Sequence, residues 1–187
     1  YKLEGGVWGK FKYELFYQEI PHNITFDART PFAGAGSGIL AGAANPNFTT
    51  WDTFDYSTER KQYGAGMKLN LFKPFFFDAS FQREEKEGIK PTGASVTSPG
   101  GIAVELPEPV DYMTNNLKLE AGYAKNPLYL SLMYFYSDFN NSNNSISLTG
   151  ITNPVFSGPQ LISLPPDNTY NKGAFKGGVK LPFNSKL

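Results

Sequence analysis

Few of the 187 residues carry side chains suited to chemistry: there is one histidine, His22, and no cysteine. Without thiols these residues hold no thiolate metal site, no disulfide framework, no cysteine nucleophile and no c-type haem attachment motif. His22 follows Pro21 at the head of a long Gly- and Asn-rich stretch. It could touch a metal or cofactor on a partner, but no second ligand lies near it in sequence, so a structural or solvated loop histidine is the expectation. Glu84, Glu85 and Glu87 lack the ligand spacing of a calcium loop, so they read as a solvated loop entry. Asn23-Ile24-Thr25 and Asn47-Phe48-Thr49 match the glycosylation sequon by pattern alone. Asn140 to Ser145 is a polar tip whose composition suits an exposed loop. No Ser-His-Asp set, phosphate loop or catalytic carboxylate pair is found, so no enzyme is expected. What recurs is lysine, at alternate positions.

That alternation needs an element that positions it. In Lys10 to Ile20, one parity holds Phe11, Tyr13, Leu15 and Tyr17; the other holds Lys10, Lys12, Glu14, Phe16 and Gln18. Tyr63 to Phe72 sets Met67, Leu69 and Leu71 against Lys68 and Asn70, and Phe75 to Arg83 sets Phe77 and Phe81 against Asp78. Asp111 to Ala124 opposes Leu117 and Leu119 to Lys118 and Glu120. Leu128 to Ser137 carries Leu130 and Leu132 on one parity, and Thr169 to Leu181 carries Lys172, Lys176 and Lys180. A period of two is that of strands whose two faces meet different surroundings. Tyr1 to Leu3 reads as the end of a further strand.

The connections alternate too. Short ones are centred on Gly5 to Gly9, Lys73-Pro74, Lys125 to Pro127 and Pro182 to Ser185; long ones span about 21–60, 84–110 and 138–168. Structureless loops of that length are uncommon in a compact soluble domain. In an outer-membrane barrel they are expected, as short periplasmic turns and long extracellular loops. The fold class is therefore read as all-β, an antiparallel transmembrane β-barrel in the bacterial outer membrane. The chain, 1–187, is taken as a segment of about six full strands of a larger barrel. Phe11, Tyr13, Leu15, Tyr17, Met67, Leu69, Leu71, Phe77, Phe81, Leu117, Leu119, Leu130 and Leu132 are then lipid-facing. Lys10, Lys12, Glu14, Lys68, Asp78, Lys118, Glu120, Lys172, Lys176 and Lys180 face the lumen. Aromatic residues near strand ends suit interfacial girdles. A soluble antiparallel sandwich, serving as a β-rich binding module, alternates as well but leaves the long loops unexplained. A formal net charge of zero gives no reason to expect a nucleic-acid partner.

The stretch WGKFKYELFYQEIPHNITFDARTPFAGAGS resembles the opening of barrels of the MtrB/PioB family, in Tyr13-Glu14-Leu15, in Glu19 to Asn23, and in Ala28 to Phe32 before a Gly-rich loop. The closing GGVKLPFNSKL is similar to that family's strand and Leu-Pro-Phe-Asn turn. Some members carry an N-terminal cysteine pair, which these residues lack. The resemblance implies a non-redox outer-membrane sheath. A periplasmic multihaem c-type cytochrome sits in the lumen and meets an extracellular multihaem cytochrome, so all haem belongs to partners and no cofactor to this chain. The lumen lysines would then complement carboxylates on the inserted partner, haem propionates included. A hydrated porin wall, the lining of a solute channel, satisfies the same charges.

Overall fold

The computed structural model describes residues 1–42, 47–70, 72–95, 103–150 and 158–181. Its strands are β1 (Lys2–Val7), β2 (Phe11–Thr30), β3 (Phe32–Ala33), β4 (Ile39–Gly42), β5 (Asp52–Leu69), β6 (Phe75–Ser95), β7 (Ala103–Lys125), β8 (Leu128–Asn141), β9 (Ser145–Thr149), β10 (Gln160–Ser163) and β11 (Asn168–Val179). Seven of them form one open sheet in the order β1-β2-β5-β6-β7-β8-β11, every neighbouring pair antiparallel. Each strand pairs with the next long one in sequence, as short turns and period-two patterning dictate. No helix among the described residues is long and apolar enough to cross a membrane, which leaves crossing by strands open.

The turns at one end of the sheet are tight. Lys10 N–H donates to Val7 O (3.0 Å) around Gly9, whose φ of +70° lies in the left-handed region. Phe75 N–H donates to Phe72 O (2.8 Å) in the next turn. Lys10 thus lies in the turn before β2, not in the strand as expected. Leu71 and the expected turn at Pro182 to Ser185 fall outside the described residues.

At the other end the strands run far past the expected loop boundaries. β6 has 21 residues and β7 has 23, so β6 is about 70 Å long at ~3.4 Å per residue. A tilted barrel strand needs only about 9–11 residues to span a membrane. Most of 21–30, 52–60, 84–95, 103–110 and 138–141 is ladder. His22 accordingly sits in β2 opposite Thr58, not in a loop. These segments hide from the sequence because both of their faces are polar; Glu84, Glu85, Lys86 and Glu87 offer no apolar stripe. Backbone pairing and cross-strand contacts hold them instead, such as Arg60 Nε to Glu84 (3.4 Å), with Gln62 also bonded to Glu84.

The conventional core lies in this extension. A four-stranded cap, ordered β10-β9-β4-β3, has β4 and β9 parallel. Phe32, Leu40, Ile146, Leu148 and Leu164 from the cap region pack with Leu106 of β7 into one buried cluster. Each such side chain contributes about 1.5–3 kcal/mol on burial. The NNSNNS stretch is no free tip: Asn141 is buried and ties the cap to β11. Its N–H donates to Asp167 Oδ1 (2.8 Å), its Nδ2 donates to Pro165 O (2.9 Å), and its Oδ1 accepts from Asn143 N–H (3.0 Å).

Candidate functional site

Directly paired residues of a ladder share a face, so the pairings decide which side chains meet. One row runs Lys12–Lys68–Asp78–Glu120–Met133–Ala174 across β2, β5, β6, β7, β8 and β11. The adjacent row runs Glu14–Gly66–Ser80–Lys118–Phe135–Lys172. Ser131 pairs with Gly122 and Lys176 on the same face. The ladder thus brings together Lys12, Glu14, Lys68, Asp78, Lys118, Glu120, Lys172 and Lys176. Lys180 follows β11 at an isolated bridge, its N–H bonded to Pro127 O (2.8 Å).

The opposite face is apolar. Its rows are Phe11–Leu69–Phe77–Ala121–Leu132–Phe175, Tyr13–Met67–Ala79–Leu119–Tyr134 and Leu15–Ala65–Phe81–Leu117–Tyr136. Leu130 pairs with Tyr123 and Gly177 on the same side. Among the described residues nothing covers this face: Leu132 and Phe175 are 64 % and 69 % exposed, where a sandwich would bury them under a second sheet. The belt ends at a row of Tyr17, Tyr63, Arg83, Asn115 and Asp138. There Tyr17 Oη donates to Glu19 (2.8 Å) and Tyr63 Oη to Glu85 (3.0 Å). Trp8 and Phe72 lie exposed in the short turns at the other margin.

Sequence reasoning missed the contribution of β1. Lys2 and Glu4 join the polar face through the pairing of Glu4 with Glu14. Glu4 accepts from Lys2 (3.2 Å) and Lys12 (3.1 Å), and Lys2 also reaches Glu14 (3.1 Å). Lys68 pairs with Asp78 (2.9 Å) and Lys118 with Glu120 (3.8 Å). The lysines of β1 to β7 on this wall are therefore matched by its own carboxylates, and the expected excess of positive charge shrinks to β11. The signal for Glu4 was the same alternation, cut short by Gly5 and Gly6.

The wall is also more aromatic than its lysines suggest. Phe76 stacks with Tyr129 (6.0 Å, 16° between planes) and Phe135 lies 6.2 Å from Tyr170. Phe16 covers Gly64 and Phe76 covers Gly122, each its direct cross-strand partner; a Cβ at either glycine would meet the ring within 2.8 Å. Aromatic-on-glycine pairing of this kind pins strand alignment. Gly66, by contrast, has no neighbour closer than 4.0 Å to a Cβ. With Ser80 it floors a depression of about 280 Å³ rimmed by Lys12, Glu14, Lys68, Asp78 and Lys118.

Above this wall, under the cap, Lys90 Nζ meets Glu108 (2.9 Å) across β6 and β7, and the Glu108 side chain is only 6 % exposed. Tyr112 Oη donates to the same carboxylate (3.4 Å) and its ring lies 5.8 Å from the ammonium. Burial opposes the charge on Lys90, but Glu108 and then Tyr112 outweigh it and hold the lysine pKa above its usual value. His22 is exposed, and no group of three metal-capable side chains gathers among the described residues.

Comparison with known proteins adds two findings. The family model for outer membrane beta-barrel porins, MtrB/PioB, matches residues 1–187. The outer membrane protein MtrB of Shewanella baltica (strain OS185) is 26 % identical over 181 residues, covering 89 % of this chain and 26 % of that protein. The chain thus spans about a quarter of that relative's length.

Proposed function

The chain belongs to the MtrB/PioB family of outer-membrane β-barrels, and from that premise we propose that it forms part of a non-redox sheath around a multihaem c-type cytochrome. The apolar face meets lipid, and the polar face lines the lumen. The cytochrome enters from the periplasm, occupies the lumen and passes electrons to an extracellular multihaem cytochrome. The barrel insulates the carrier from lipid and fixes the distance between partners.

The observation that supports an occupied lumen best is the set of aromatic side chains on the polar face. Phe16, Phe76, Tyr129, Phe135 and Tyr170 stand among lysines and carboxylates. Water gains nothing from contact with phenyl rings, whereas a packed protein surface does, and aromatic residues are enriched in the cores of protein interfaces. The chain brings no thiol and one exposed histidine, in keeping with a scaffold whose redox groups sit on partners.

The family description favours a second reading, a solute channel with a water-filled lumen. The full-length protein purified from outer membranes in mild detergent separates the two. A Soret band with sharp α and β bands on reduction, at several haems per barrel, supports the sheath. A colourless barrel that conducts ions in a planar bilayer overturns it in favour of the channel.

A further inference from the structure

The cap rests on one particular side of the wall. β6 and β7 pair without a register shift from Ser80–Lys118, level with the apolar belt, up to Thr92–Leu106. Side-chain parity therefore carries through, and Leu106, Glu108 and Val110 lie on the face that lower down holds Lys118 and Glu120. Thr58 pairs with Gly88 on that face, and Asn141 with Tyr112. Leu106, Glu108, Val110, Thr58 and Asn141 are all buried. The opposite parity is exposed at Glu87, Pro91, Glu105 and Asp111. Pro107 and Pro109 are buried on that side, where a Cβ on Gly36 of the β3–β4 turn would lie 2.9 Å from Ile89. The apolar core of the cap, with Leu40, Ile146 and Leu148 clustered with Leu106, is on the polar-wall side.

We propose that the cap is an inward shelf at the extracellular mouth, which narrows the opening of the lumen and acts as a size filter: small solutes pass, and folded domains are turned away from this part of the wall. The proposal needs the polar face to line the lumen, and it holds whether a cytochrome or water fills that lumen. Thr92, the partner of Leu106, stands about 58 Å along β6 from the short turn at its start. The apolar band of such barrels is only about 25 Å tall, so the shelf lies beyond the lipid, at the long-loop end that faces out of the cell. Packed sheets lie about 10 Å apart, so the second layer takes up about that much of the mouth along β5 to β8. Its far side carries the row Leu161–Ser147–Ile39, with Ile39 and Leu161 63 % and 68 % exposed. Backbone pairing and a buried core make this a fixed obstruction, not a loop that a passing molecule sweeps aside.

The test uses the full-length protein displayed on intact cells. Leu161→Cys and Ile39→Cys mark the far side of the cap; Glu87→Cys and Asp111→Cys mark the outer face of the same wall. Each variant is treated with a small maleimide and with a maleimide coupled to a folded carrier protein, and rates are corrected for labelling of the parent protein. All four should react with the small reagent. With the large one, Leu161→Cys and Ile39→Cys should react at least about tenfold more slowly than the outer-face pair, a steric cost of only ~1.4 kcal/mol. Adding Leu148→Asp, which puts a charge into the cap core, should unseat the shelf and bring Leu161→Cys up to the outer-face rate. Equal rates with the large reagent at all four positions would overturn the proposal. Cap positions closed to the small reagent as well would overturn the filter, because the mouth would then be sealed there. Exclusion that survives Leu148→Asp, with fast amide exchange at Leu40 showing the cap open, would overturn it too. Haem on the same protein is read separately; its absence removes the sheath reading and leaves this test intact.

Discussion

Lys90→Met should loosen the cap far more than Glu108→Gln. The two side chains form one ion pair but are unequally placed: Glu108 is 6 % exposed and Lys90 is 35 % exposed. Removing the lysine strands a carboxylate in a nearly dry pocket, with the Tyr112 hydroxyl at 3.4 Å left to answer it among the described residues. Removing the carboxylate charge leaves a long cationic side chain that can bend toward water. Breaking a fully buried pair costs about 3–5 kcal/mol. Discounting for the exposure of Lys90 leaves roughly 2–3 kcal/mol for Lys90→Met and under ~1 kcal/mol for Glu108→Gln. Glu108 belongs to the strand that carries Leu106 into the cap core, so the cost should appear as cap opening. Hydrogen exchange at the amides of Leu40, Leu106 and Leu148, read in the full-length barrel in detergent, should speed up about 30- to 150-fold in Lys90→Met. The double variant should recover most of the protection, since a pair replaced on both sides leaves no orphaned charge. Equal, small accelerations in both single variants, below about threefold, would refute the reasoning.

The same ion pair predicts a pH response. The folded state raises the Lys90 pKa, so its contribution is complete below the unfolded lysine value of about 10.4 and is lost as pH climbs through the folded value; limited proteolysis of the cap should therefore stay flat from neutral pH and rise only in strong alkali, with Lys90→Met lacking that step. Gly64→Ala and Gly122→Ala should each cost about 1–3 kcal/mol in denaturant unfolding, because a Cβ would sit 2.4 Å from Phe81 O or 2.3 Å from the Phe76 ring; Gly66→Ala, with 4.0 Å of clearance, should be within about 0.5 kcal/mol of wild type or better. Leu119→Lys, on the exposed apolar face between Ala79 and Tyr134, should cost about 2–4 kcal/mol in lipid and little in a water-facing setting; unchanged folding into bilayers would put that face elsewhere. Asn141→Ala forfeits two side-chain bonds at a buried position and should weaken the cap by about 1–3 kcal/mol, seen as faster exchange in β9.

The half of the sheet nearest the short turns was legible because each strand there opposes an apolar parity to a polar one. Phe11, Tyr13 and Leu15 against Lys12 and Glu14 fix both the strand and its faces before any pairing is known. The upper half was not legible. Once a ribbon leaves the apolar belt, both faces are wet, and a strand such as Glu84 to Lys90 looks like a polar loop. The cap escaped for another reason: Ile39 to Gly42 is four residues long, and it pairs in parallel with Ser145 to Thr149, more than a hundred residues away. No local pattern encodes that partner. Parity placed Lys12, Lys68, Lys118, Lys172 and Lys176 on one face, as the pairings do, but Glu4 and its two ion pairs lie on a strand too short to announce itself.

The parallel seam between β4 and β9 has a mechanical consequence. β4 hangs from the β2–β5 hairpin and β9 from the β8–β11 hairpin, while β6 and β7 separate those hairpins in the large sheet. The seam thus ties two hairpins that are not neighbours in the large sheet, and Leu106 of β7, which lies between them in strand order, packs into the same buried cluster. A bowed wall left alone can flatten or tighten as its strands slide and twist. A tie-beam across the span forbids both, because flattening stretches the seam and tightening crushes the core under it. Any motion that separates the β2–β5 hairpin from the β8–β11 hairpin must therefore break the β4–β9 pairing or open the cluster around Leu106.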